Sequence, residues 1–128
     1  MKIITALDNP KTNEKLKEET NFEIIGNDIQ YQEGVIEILE KNEEIDLLII
    51  SELLSGEIEF IKLIEKIKLI NKKIEIIVIL KDENEETKNY LISKGIFNIV
   101  YNNEITIKEL IILINNIKNK NKEIEINE

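Results

Sequence analysis

Cysteine and histidine are both missing from this chain of 128 residues. Without cysteine there is no disulfide framework and no thiolate metal site. Without histidine the commonest general base, His-based triads and imidazole metal ligands are removed together. Arginine is missing too, so every basic residue is lysine; there is no arginine finger and no guanidinium fork for phosphate or carboxylate. The net charge is -9, the wrong sign for a nucleic-acid footprint. No apolar run approaches the roughly 18 residues of a membrane span. The opening Met1 to Leu7 is too short for a signal peptide and runs directly into charged sequence. The expected location is therefore cytoplasmic.

What is present is a balanced composition, 42% hydrophobic and 34% charged, in a length that suits one domain around one core. Lys2 to Leu7 reads as a first strand. Asn9 and Pro10 suit a helix entry, but the helix from Pro10 to about Glu19 has Leu16 as its one strong apolar residue. It is expected to be short, poorly packed or partly irregular. Phe22 to Ile25 is a second strand, closed by Gly26-Asn27-Asp28. Tyr31, Val35, Ile38 and Leu39 recur at helical spacing to about Asn42. Ile45 to Ser51 is a third strand. Ile58, Ile61, Ile64, Ile67 and Ile70 stripe a third helix.

Ile74 to Leu80 is a fourth strand, β-branched and almost continuously apolar. Asp82 is placed to cap a helix that runs through Lys94 and stops at Gly95. Ile96 to Tyr101 is a fifth strand. Thr106-Ile107-Lys108-Glu109 forms a capping box that opens a last helix with Ile107, Leu110, Ile111, Ile114 and Ile117 on one face. Residues 1–118 form the domain; 119–128 read as a charged tail, either a frayed helix end or a linker. Five alternations of strand and helix predict an α/β fold, a doubly wound parallel sheet with helices on both faces.

The stretch Asp46-Leu47-Leu48-Ile49-Ile50-Ser51-Glu52-Leu53-Leu54-Ser55-Gly56 is a buried-type strand entering a loop. In open α/β sheets such loops carry the chemistry. It resembles the third strand and loop of response-regulator receiver domains, where an Asp and four apolar residues precede the phosphoacceptor Asp and a later Pro-Gly. Asp46 and Gly56 match, Ser55 takes the proline position, and Ser51 stands where the acceptor would be. The resemblance covers nearly the whole chain and implies a flavodoxin-like sheet of order 2-1-3-4-5.

Carried through the chain, the family's metal-holding acids fall on Leu7, Asp8 and Asn9, leaving one carboxylate at Asp8. The Ser/Thr that ends the fourth strand falls on Leu80, or on Lys81 with a slip of one. The Lys-Pro after the fifth strand falls on Asn102-Asn103. The glycine of Ala-Gly-Ala survives as Gly95. Features that shape the backbone are kept, and those that perform the chemistry are gone. Asp8 alone is a poor Mg²⁺ site, and Ser51 without an adjacent base is a poor phosphoryl acceptor.

For each of these residues an ordinary structural role competes with a functional one. Asp8 is either a vestigial metal ligand or a helix-entry acid. Ser51 is either a modification or pocket residue or a strand-end hydroxyl bonded to local backbone. Glu52, Asp82 and Glu83 either join Asp8 as a weak cation site or are solvated loop acids. Lys81 either reaches back toward the pocket or is solvated. Tyr90, Phe97 and Tyr101 are partner-surface aromatics or ordinary packing. Ile112 and Leu113 lie off the main apolar face of the last helix, which makes them, with Tyr101, interface candidates.

The resulting expectation is a non-enzymatic, phosphorylation-independent regulatory domain, a pseudo-receiver with no cofactor. Its partner would be a protein or an adjacent domain, including its own copy through the last helix. Domains of this kind also resemble the N-terminal domains of ParA/MinD-type, CpaE-like ATPases. The alternatives are a functional phosphoacceptor receiver and a small-molecule sensor. A dinucleotide enzyme is disfavoured because no G-x-G-x-x-G follows any strand.

Overall fold

A computed structural model describes residues 1–42, 44–102 and 105–127, with the backbone alone from 122 onward. The elements alternate as β1 (Lys2–Ala6), α1 (Pro10–Glu19), β2 (Glu23–Ile24), α2 (Gln32–Lys41), β3 (Leu47–Ser51), α3 (Phe60–Ile70), β4 (Glu75–Leu80), α4 (Glu85–Ser93), β5 (Asn98–Tyr101) and α5 (Ile107–Asn127). The five strands form one sheet, ordered β2-β1-β3-β4-β5, and every pairing is parallel.

The β3 and β4 runs are continuously apolar because both faces of the sheet are covered. Side chains alternate along a strand. Leu47, Ile49, Ile77 and Ile79 therefore pack beneath α1 and α5 with Leu16, Leu110 and Ile114. Leu48, Ile50, Ile76, Val78 and Leu80 pack on the other side with Leu39 of α2, Leu63 and Ile64 of α3 and Leu91 of α4. The receiver-type, flavodoxin-like α/β fold is the one expected from the sequence.

Several local expectations are corrected. α1 is a regular helix of ten residues, anchored by more than Leu16. Asn13 is buried, and its amide donates to the Thr5 hydroxyl at 2.9 Å, so a satisfied polar group supplies the second attachment. β2 is only two residues long, an edge too short to template further pairing. On α3 the buried residues are Leu63, Ile64 and Ile67; Ile70 is 37% exposed, so the inward face is rotated from the isoleucine stripe. The α4 cap is Asn84, whose side chain accepts from the Thr87 N–H at 3.1 Å, and not Asp82. Gly95 ends α4 at φ +80°, a conformation only glycine adopts freely. Thr106 accepts from the Glu109 N–H at 3.2 Å, one half of the capping box. The backbone of 119–127 continues α5 as helix.

Candidate functional site at the carboxyl edge of the sheet

The strands β1, β3, β4 and β5 end around a cavity of about 280 Å³, whose walls are Leu7, Asn9 and Thr12 on one side, Ser51 and Ile79 on its floor, and Asn102, Thr106, Ile107 and Leu110 opposite. Among the described residues its polar groups are neutral hydroxyls and amides. Ser51 is 4% exposed, and its Oγ accepts from the Leu53 N–H at 3.1 Å. Asn102 is exposed at the rim, with its backbone N–H on the Leu80 carbonyl. Leu80 is fully buried on the opposite side of the sheet; its neighbour Ile79 faces the cavity instead. Asn103 lies outside the described residues.

Asp8 is exposed and does not line the cavity. Its φ of +49° is in the left-handed region, which Asp tolerates better than most residues. Lys81, Asp82 and Glu83 are also exposed. Among the described residues no three carboxylates converge on a common point. The described residues at this edge do not fit a Mg²⁺ ion, which requires near-octahedral oxygen ligation anchored by carboxylates.

The loops around the cavity are held instead by side chains that the sequence reading passed over. The Asp28 carboxylate is 8% exposed. Its Oδ1 accepts from the Thr5 hydroxyl at 2.7 Å and the Leu7 N–H at 3.0 Å; its Oδ2 accepts from the Asn9 N–H at 2.7 Å. The β1–α1 loop is thus folded around an acid from the β2–α2 loop. Gln32, at the start of α2, is 4% exposed. Its amide donates to the Ile58 carbonyl at 2.8 Å and accepts from the Ile58 N–H at 2.9 Å, clamping the β3–α3 loop. Glu52 accepts from the Lys81 N–H at 3.0 Å, tying β3 to the β4–α4 loop.

A signal for the first clamp was present in the sequence. Thr5 sits in the middle of a strand that must be buried, and a buried hydroxyl requires a partner. Gly26-Asn27-Asp28 carries a turn signal in the sequence, which hides the acid's second role.

The interface candidates separate. Ile112 is 51% exposed and Phe97 67%. Leu113 is half-buried against the α1/α5 core. Tyr101 is half-buried against the opposite core, with its hydroxyl enclosed and unpartnered among the described residues. Leu113 is thus chiefly a packing residue, because its position on the helix turns it inward beside Ile114.

No protein-family model and no curated protein matches this sequence. Solved structures do resemble it. A CheY-like response-regulator receiver domain protein from Methanospirillum hungatei JF-1 superposes with a TM-score of 0.76 at 17% identity, over 99% of this chain and 98% of that one. The response regulatory domain of protein mrkE from Klebsiella pneumoniae gives 0.76 at 15% identity, over 96% and 99%. The beryllofluoride-activated NtrC4 receiver domain dimer gives 0.74 at 13% identity, over 90% and 93%. At these identities the likeness is one of fold.

Proposed function

We propose that this chain is a regulatory interaction domain that works without phosphorylation, a receiver fold whose switch has been replaced by fixed internal bonds. The observation that carries this reading is the Asp28 clamp. A carboxylate that would otherwise be free near the site is engaged by Thr5, Leu7 and Asn9, and among the described residues the cavity wall offers neutral groups. The loops at this edge are held together by Asp28, Gln32 and Glu52. Such an edge suits a constant surface better than a bistable one. The partner is a protein or a neighbouring domain. The NtrC4 receiver is named as a dimer, and we extend self-association to this chain through exposed residues of α5.

The test is incubation with Mg²⁺ and a small phosphodonor, followed by intact mass, in parallel with Mg²⁺ calorimetry. The expected result is no added phosphoryl mass and no Asp8-dependent binding tighter than millimolar. Stoichiometric phosphorylation at Ser51 or Asp8 would overturn the proposal in favour of an active receiver.

A further inference from the structure

A second concavity lies between α3 and α4, away from the carboxyl edge. It is a groove of about 280 Å³ lined by Ile64, Glu65, Lys68, Leu69, Tyr90 and Lys94. Its apolar wall is unusually open, since Leu69 is 76% exposed. The Lys94 ammonium sits 5.7 Å from the centre of the Tyr90 ring. The Lys68 ammonium donates to the Ile74 carbonyl at 2.8 Å, and partial burial lowers its pKa from the ordinary lysine value.

The charge around this groove opposes that of the molecule. From Phe60 to Lys73 the chain has five lysines (62, 66, 68, 72 and 73) and one acid, Glu65, in a protein of net charge -9. Lys62, Lys66, Lys72 and Lys73 are all exposed. The groove wall itself carries two lysines, Lys68 and Lys94, against one acid, Glu65. Such an apolar trough is complementary to an amphipathic segment with acidic flanks, the helix-in-groove mode of recognition. A carboxylate arriving at Lys68 would also offset the cost of its burial, because an opposite charge favours the ionised form. A flat anionic bilayer would use the lysines but has no need of the concavity, and a nucleic-acid backbone has no apolar anchor to set against the exposed Leu69.

We propose that the α3–α4 groove docks an acidic amphipathic segment of a partner protein, with an apolar anchor against Leu69 and the Tyr90 ring and carboxylates against Lys68 and Lys94. This surface is separate from α5, so it stands or falls independently of self-association there.

A random short-peptide display library, selected on the wild type and counter-selected on Leu69→Glu, tests it. Both Leu69→Glu and Lys94→Glu change exposed side chains, and circular dichroism checks that each variant folds. The expected winners pair an apolar anchor with acidic residues. Their fluorescent versions should bind roughly tenfold or more weakly to either variant, lose affinity with added salt, and shift amide resonances of α3 and α4. Winners that are basic, winners that map elsewhere, or no enrichment over the counter-selection would each overturn the proposal. Phosphatidylglycerol vesicles form a second arm. Leu69-dependent vesicle binding without peptide winners would also overturn it, assigning the ridge to a lipid surface.

Discussion

The Asp28 carboxylate accepts the Thr5 hydroxyl at 2.7 Å across 23 positions of sequence, and through Thr5 it reaches Asn13, whose amide donates to the same hydroxyl at 2.9 Å. One buried chain of hydrogen bonds thus joins the β2–α2 loop, the middle of β1 and the first turns of α1. Asp28 also accepts two backbone N–H groups. Asp28→Ala would leave three buried or half-buried donors without an acceptor. Hydrogen bonds to charged groups contribute about 1.5–3 kcal/mol each, with non-additive sums, so the expected loss is about 2–4 kcal/mol in chemical denaturation. Asp28→Asn should fall between the wild type and Asp28→Ala, because one carboxylate oxygen becomes a donor facing a donor. A loss under about 0.5 kcal/mol, the level of an ordinary surface change, would mean that the clamp does not hold the loop.

Gly56 lies at φ +153°, and a Cβ there would overlap the Gln32 carboxamide that clamps Ile58. Gly26, at φ +68°, has nothing near its missing Cβ. Gly26→Ala should therefore cost only the backbone penalty of about 1–2 kcal/mol. Gly56→Ala should cost more, because it also expels or distorts the buried Gln32. Thermal melts of the two variants check the order. Equal shifts would show that the clamp yields without cost.

Lys68 gives a pH dependence of known sign. Burial lowers its folded pKa, with Glu75 opposing in a smaller measure. The unfolded chain therefore holds its proton more tightly, and stability rises with pH between the lowered value and the ordinary 10.5. Tyr90 acts in the opposite direction. Its phenol is raised above 10.0, first by burial and then by Glu65, so its contribution falls as pH passes the unfolded value. The exposed Lys2 and Lys41, raised by Glu44 and Glu37, also lose their small contributions there. The stability difference between wild type and Lys68→Met, measured by denaturant at successive alkaline pH values below Tyr90's range, should shift in favour of the wild type as pH rises. A flat difference would remove burial as the cause.

The sheet was legible because β-branched runs such as Ile74 to Leu80 leave little choice of partner once helices cover both faces. The departures from the receiver pattern at Asp8, Ser51 and Asn102 were equally legible. What escaped was what holds the loops there. Asp28 and Gln32 look like turn and helix-start residues, and only the parallel crossovers bring them against β1 and the β3–α3 loop. The register of α3 and the orientation of Leu113 escaped for a related reason. Isoleucine and leucine occur on several sides of these helices, so periodicity alone selects no unique inward face.

That ambiguity bears directly on partnering. Ile112 is 51% exposed on α5, Ile92 41% on α4, and Phe97 67% just before β5. They belong to or border three successive elements, α4, β5 and α5, and exposed apolar residues mark an interaction surface where they form one patch. With no phosphoryl switch in the proposed reading, association would depend on concentration alone. Leu113 is a poor probe of it, because it packs against the α1/α5 core and a charge there would damage folding. Ile112→Lys changes a residue that is already half in solvent. The expected result in analytical ultracentrifugation is a wild-type dimer that Ile112→Lys converts to monomer, with an unchanged circular dichroism spectrum. A wild type that remains monomeric at about 100 μM, well above the micromolar range of ordinary complexes, would eliminate the homodimer. The exposed residues would then be left to a different protein or an adjacent domain.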